Sequence, residues 1–269
     1  MNILDEIVAN KRKEVEERKS LYPVKLLEKS INFPAPVISL KKYLLREDKS
    51  GIIAEIKRKS PSKGIINKYV SVERTSIGYM MAGASALSVL TDEKYFNGTS
   101  QDLMTARKYN FCPILRKDFI VDEYQVIESK SIGADAILLI AAVLTPDEMK
   151  KLAALATSLN LEILIEVHSR EEIDSHIDGS QALVGINNRD LKTFKVDFNT
   201  SIELGSKLPG EIVKVAESGI SDPEVIVRLR DHGFNGFLIG EYFMSHSRPE
   251  KACDDFIHNL NRLLLQKAG

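Results

Sequence analysis

The sequence predicts an α/β protein, a (β/α)8 TIM barrel preceded by an N-terminal helical extension, and three observations carry that prediction. Eight short apolar runs recur from about residue 50 onward. Stretches with helical spacing and capping signals separate them. No run is followed by the glycine-rich fingerprint of a dinucleotide-binding sheet, which leaves a closed barrel ahead of an open doubly wound sheet.

Taken in order, the runs are GIIAEIK from Gly51, SALSVLT from Ser85, CPILRKDF from Cys112, ADAILLI from Ala134, EILIEV from Glu162, ALVGINN from Ala182, EIVKVAES from Glu211 and GFLIGE from Gly236. Most are rich in leucine or β-branched residues, as parallel strands buried on both faces must be. Between them lie helices with readable ends. One opens Thr145-Pro146-Asp147-Glu148, a cap, a first-turn proline and acids. Another opens Ser221-Asp222-Pro223-Glu224 and stops at Gly233. The barrel needs residues 49–269, so residues 1–48 form the extension. Within it Leu4, Ile7, Val8 and Val15 share one helical face, which must pack against something, either the barrel bottom or the active-site border. Lys41 to Lys49 reads as a polar lead into the first strand.

Composition narrows the function. The 269 residues are 43% hydrophobic and 28% charged, which excludes a disordered or fibrous chain. Basic and acidic side chains number 37 and 38, a balance that gives no protein-wide basic field for nucleic acid or anionic lipid. Cys112 and Cys253 form neither a disulfide framework nor a metal-ligand spacing, and nothing resembles a metal triad. The longest apolar run, Ala136 to Leu144, falls far short of the roughly 20 residues of a membrane span. The N-terminus has no apolar segment of the kind signal peptides carry. A soluble, cytoplasmic, monomeric protein with no nucleic-acid or membrane partner is expected.

Chemistry in such barrels sits at the C-terminal strand ends. Period-two alternation puts Ile53, Glu55 and Lys57 on one face of the first strand, and Leu115 with Lys117 on the third. It groups Leu164 with Glu166 on the fifth and Val213, Val215 and Glu217 on the seventh. Asn187 ends the sixth strand on the face of Gly185, with Arg189 close by. Inward charges from alternate strands meet in one layer, and neighbouring carboxylates keep a lysine there charged and able to donate a proton. The loops after strands seven and eight, Glu217-Ser218-Gly219-Ile220 and Ile239-Gly240-Glu241, fit the recurrent phosphate site of these barrels. The loop Ser60-Pro61-Ser62-Lys63-Gly64 adds hydroxyls and a cation and is long enough to move. His168 reads as a surface or supporting residue rather than a base.

The string AEIKRKSPSKG, from Ala54 to Gly64, closely resembles the first-strand signature of the indole-3-glycerol phosphate synthase family. The resemblance continues in family order through SVLTDEKYFNG, LRKDFIVDEYQ, ADAILLIAAVL, LIEVH, GINNRDL, VAESGI and FLIGE, and includes the opening ILDEIVANKRKEV. It implies a helix-first barrel whose extension borders the substrate. It also implies ring closure on 1-(2-carboxyphenylamino)-1-deoxyribulose 5-phosphate with loss of carbon dioxide and water, a tryptophan-biosynthetic step that needs no cofactor. By that resemblance Lys117 is the general acid, and Glu166 with Lys57 is the acid/base pair for dehydration, the direction of each proton left open. Glu55, Asn187, Arg189 and Glu217 fall at polar substrate positions, and Phe96, Phe119, Leu138 and Leu191 at the apolar ring pocket. Ser60, Ser218, Gly219 and Gly240 fall where phosphate contacts are expected. Glu241 departs from relatives with a small hydroxyl residue there, and an acid beside a phosphate must point away. Two other readings keep the barrel: an aldolase-like enzyme with Lys117 as Schiff-base nucleophile, and a barrel that only binds a ligand.

Overall fold

The computed structural model of the protein describes residues 3–190 and 195–268. Eight parallel strands close into a barrel, seven inside the apolar runs and the eighth starting two residues before its run: β1 (Ile52–Ile56), β2 (Ala86–Leu90), β3 (Ile114–Lys117), β4 (Ala136–Ile140), β5 (Glu162–Val167), β6 (Leu183–Asn187), β7 (Val213–Glu217) and β8 (Phe234–Ile239). Each strand pairs with its sequence neighbours, and β1 closes on β8 through Ile52, Ile53 and Ala54 opposite Phe237, Leu238 and Ile239.

The alternation sorts two cores. Ile53, Leu115, Leu164, Val213, Val215 and Leu238 fill the barrel interior. On the other strand face Ala54, Val89, Leu139 and Ala216 pack against helical residues such as Leu103, Ile226 and Leu260. Helix starts follow the local signals. Thr145 and Glu148 form a reciprocal capping box that spans Pro146, and Asp222 caps the helix Pro223–Arg230. Gly233 ends that segment in the left-handed region, at φ +80°.

The N-terminal segment does two jobs with two of its three helices. Helix Ile3–Leu21 lies across the barrel mouth and buries Ile7, Lys11 and Val15. A second, short helix, Leu40–Leu44, closes the bottom, where Leu40 and Leu44 join the interior core. Here the expected polar lead from Lys41 to Lys49 is corrected. Leucines four apart share a helix face, and Ser39 caps the turn through its Oγ, which accepts from the Lys42 N–H. Glu162, at the start of β5, anchors it by accepting from Ser39 Oγ (2.5 Å) and the Lys41 N–H (2.9 Å). The loop after β1 is also more ordered than expected, since Lys59–Ser60 pairs antiparallel with Gly64–Ile65.

Candidate active site

Strand register decides which side chains meet at the mouth. Glu55 stands opposite Ser88, Leu90 opposite Lys117, Ile140 opposite Glu166, and Asn187 opposite Glu217. These ends line a cavity of about 420 Å³, within the range of small-molecule sites. Fourteen of the fifteen residues singled out from the sequence line it: Glu55, Lys57, Ser60, Phe96, Lys117, Phe119, Leu138, Glu166, Asn187, Arg189, Glu217, Ser218, Gly219 and Gly240. The fifteenth, Leu191, lies outside the described residues.

Lys117 is the hub. Its Nζ lies 2.9 Å from Glu166 Oε2 and 3.3 Å from Glu217 Oε2, bridging β3 to β5 and β7. Burial works against its charge, but Glu166, Glu217 and Glu55 outweigh that and raise its pKa above the ordinary lysine value. Lys57 Nζ is held 2.7 Å from Glu55 Oε1, a separate pair on β1. Burial likewise opposes ionisation of Glu166, yet Lys117 and His168 hold its carboxyl well below the usual range. Asn187 Nδ2 donates to Glu166 Oε1 at 3.1 Å.

Glu217 goes the other way. Burial, with Glu166 and Glu55 nearby, pushes it up to about 7 despite Lys117. Its carboxyl fills space that Gly185 leaves, for a Cβ there would sit 2.1 Å from Glu217 Oε1. Gly240 does the same for Glu55, at 2.4 Å. A carboxyl whose folded pKa is raised binds more protons in the native state, so it destabilises the fold increasingly as pH rises from about 4.5 to about 7. Glu217→Gln is therefore expected to raise the thermal midpoint at pH 8 and to lose that advantage at pH 4. Equal midpoint shifts at both pH values would contradict the assignment.

The other end of the cavity suits an anion. After β7, Ser218 and Gly219 are both left-handed, at φ +71° and +78°, and a non-glycine residue in that region is a strained conformation typical of functional turns. After β8, Gly240 leads into the short helix Glu241–Met244. Ser60 is buried, and its Oγ accepts from the Lys63 N–H (3.2 Å). Glu241 turns towards cations: its Oε2 is 3.0 Å from Arg189 and its Oε1 3.5 Å from Lys63. Both cations thus neutralise its carboxylate, although Glu241 still lines the cavity.

Phe96 and Phe119 meet at 6.0 Å between centroids with their rings tilted by 40° and, with Leu138, form an apolar wall. Helix Ile3–Leu21 adds Ile3, Leu4 and Ile7 to the lining. Two polar residues escaped the sequence reading, and a third, His168, was read as surface or supporting. His168 lines the cavity beside Glu166 and is not a surface residue. Asp118 and Lys11 form a buried pair directly behind Lys117, Nζ to Oδ1 at 3.1 Å. Two of the Lys11 partners, Asp92 and Asp118, stand far away in sequence, so only tertiary structure reveals them. Among the described residues no three His, Cys, Asp or Glu side chains are grouped to hold a metal ion. No helix among them is long and apolar enough to cross a membrane.

Comparison with known proteins places the chain in a family. Residues 4–256 match the family profile described as indole-3-glycerol phosphate synthase. An indole-3-glycerol phosphate synthase of Bacteroides thetaiotaomicron is 49% identical over 256 residues, covering 95% of this chain and 98% of that protein. One of Salinibacter ruber is 40% identical over 272 residues, covering all of both. Among solved structures, the fold alone is shared with thiamine phosphate pyrophosphorylase from Pyrococcus furiosus (TM-score 0.60, 17% identity, 84% of this chain and 100% of that one). It is shared too with tryptophan synthase subunit alpha from Legionella pneumophila (TM-score 0.58, 13% identity, 83% and 97%).

Proposed function

This chain belongs to the indole-3-glycerol phosphate synthase family, and from that premise we propose how its residues divide the family's ring closure. The reaction converts 1-(2-carboxyphenylamino)-1-deoxyribulose 5-phosphate to indole-3-glycerol phosphate with loss of carbon dioxide and water. The observation that carries the assignment of roles is the state of Lys117. A lysine clamped between two carboxylates stays an ammonium, which can give a proton but cannot attack a carbonyl. That disfavours the Schiff-base reading and suits a general acid.

In our reading the phosphate sits at Ser60, Ser218, Gly219 and Gly240, where small residues and a turned backbone bring N–H groups to an anion. Arg189 and Lys63 add positive charge there once Glu241 gives way. The anthranilate ring lies against Phe96, Phe119 and Leu138. Leu191, for which the described residues offer no support either way, belongs to the same proposed pocket. As the aryl carbon bearing the carboxylate attacks the ketone carbon, Lys117 passes its proton to the ketone oxygen. Breaking the bond to the carboxylate releases carbon dioxide, and its electron pair restores the aromatic ring.

Dehydration then needs a proton delivered to the departing hydroxyl and another removed. Lys57, paired to Glu55, supplies the first. Glu166, held ionised, accepts the second. Glu55, Asn187 and Glu217 orient these groups and the sugar hydroxyls. The same reading makes the protein a cytoplasmic monomer acting on one small phosphorylated substrate.

The chain has no tryptophan, so indole emission stands clear of the protein's own. Pure protein given the carboxyphenylamino-deoxyribulose phosphate should develop indole fluorescence, and its absence would defeat the reading. With Glu166→Gln, carbon dioxide release should outrun indole formation, because ring closure precedes the step that needs the base. Equal slowing of both would remove Glu166 from dehydration.

A further inference from the structure

Glu166 has a partner that the chemistry above does not use. His168 lies two residues further along the chain, and its Nε2 is 3.2 Å from Glu166 Oε1. On its other side, His168 Nδ1 is 3.6 Å from Glu172 Oε2. Glu172 is itself fixed: its Oε2 accepts from the His168 N–H at 2.7 Å, and its own N–H donates to the capping Ser169 Oγ at 3.2 Å. Glu172, His168, Glu166 and Lys117 thus form a row of alternating charges ending at the reacting centre.

We propose that His168 is a positioning residue, whose ring ties Glu172 to Glu166 and dictates which carboxylate oxygen Glu166 turns to Lys117 and to substrate. It deepens the function proposed above and rests on Glu166 acting as base.

The geometry supports it in two ways. Glu166 Oε1 is in charge contact with His168 Nε2 and accepts a hydrogen bond from Asn187 Nδ2, which leaves Oε2 as the oxygen facing Lys117. A carboxylate gripped on one oxygen rotates less, and an aimed base loses less to disorder in the transition state. The charged groups facing the ring are Glu166 from β5 and Glu172 from the following helix, with Lys117 of β3 beyond Glu166. Burial works against a cation here, but those two carboxylates push His168 up to about 10. A neutral ring would need only one acid beside it; a ring between two acids serves as a cation.

The test compares His168→Gln, His168→Ala, Glu172→Gln and Glu166→Gln with the parent enzyme, by steady-state kinetics over a pH series and by thermal denaturation. His168→Gln keeps a donor at similar reach but removes the charge. It should lower kcat about tenfold with KM changed less than about threefold. The acidic limb of the kcat profile should move to higher pH by about half a unit or more, because a carboxylate that loses a cation is protonated more readily. His168→Ala should do the same more strongly. Glu172→Gln leaves the ring charged over the acidic limb, so it should lower kcat by loosening the ring without moving the limb, and adding it to His168→Gln should change nothing further, since it acts through the ring.

If the limb stays put in the His168 variants while kcat or the melting point falls, His168 only supports the fold and the proposal is overturned. If His168→Ala does not fold, His168→Gln decides by the same criterion. If Glu166→Gln retains full turnover, the fault lies with the assignment of Glu166 as base. If that variant stops turnover and the His168 variants leave the profile alone, the fault lies here.

Discussion

Lys117→Met is expected to lower kcat by about 10³- to 10⁴-fold, equivalent to about 4–5.5 kcal/mol of transition-state stabilisation. Two effects combine. The proton donor to the ketone is gone, and Glu166 and Glu217 are left facing each other without the cation 2.9 and 3.3 Å away. Lys117→Arg separates them. A guanidinium restores the positive charge but does not release its proton in a protein, so stability should return while turnover stays low. Steady-state kinetics with indole fluorescence as readout, alongside the melting point of each variant, gives the answer. Turnover by Lys117→Met within tenfold of the parent would remove the residue from its role.

The second large effect lies outside the cavity. Lys11→Met should cost about 3–5 kcal/mol of folding stability, measured by urea denaturation. Lys11 is 1% exposed, and its Nζ lies 2.9 Å from Asp92, 3.1 Å from Asp118 and 2.9 Å from Glu14. Removing one partner of a buried set leaves charges that water cannot reach. The pH dependence follows from Asp118. Burial opposes its ionisation, but Lys11 and Arg116 hold it down to about 2. A depressed carboxyl stabilises the fold above its unfolded value and loses that benefit as pH falls towards about 2. The deficit of Lys11→Met should therefore be full at pH 7 and smaller at pH 3. A pH-independent deficit, or one below about 1 kcal/mol, would show that the cluster is not an electrostatic latch.

How much of this was readable beforehand depends on how far apart the interacting residues stand. Lys117, Glu166 and Glu217 were legible because a strand's alternation is local: Leu115, Leu164 and Val215 two places earlier reveal which face turns inward. That Ser218 and Gly240 line the cavity was legible because they directly follow the last two strands, at the end where barrel sites lie. Lys11 was not. Among the charges of ANKRKEVEERK it looks like any solvated lysine, and its acids come from the ends of β2 and β3. His168 was undervalued for a related reason, since Glu172 reaches it only after the chain turns into a helix capped by Ser169. The bottom helix Leu40–Leu44 was lost among lysines, where two leucines four apart outweigh the polar residues between them. The direction in which Glu241 points depended on Arg189, a residue of another loop.

The closure of the barrel carries one more consequence. Its last seam joins β1 to β8, the first strand of the barrel to the final one. Ser60 lies just past one side of that seam and Gly240 just past the other. An anion held by both would act as a stitch across the join, so part of its binding free energy would go into keeping the cylinder shut. Substrate would then do more than occupy the enzyme. It would fasten the two ends of the chain's own circuit, and an enzyme at work would unravel more slowly than one at rest.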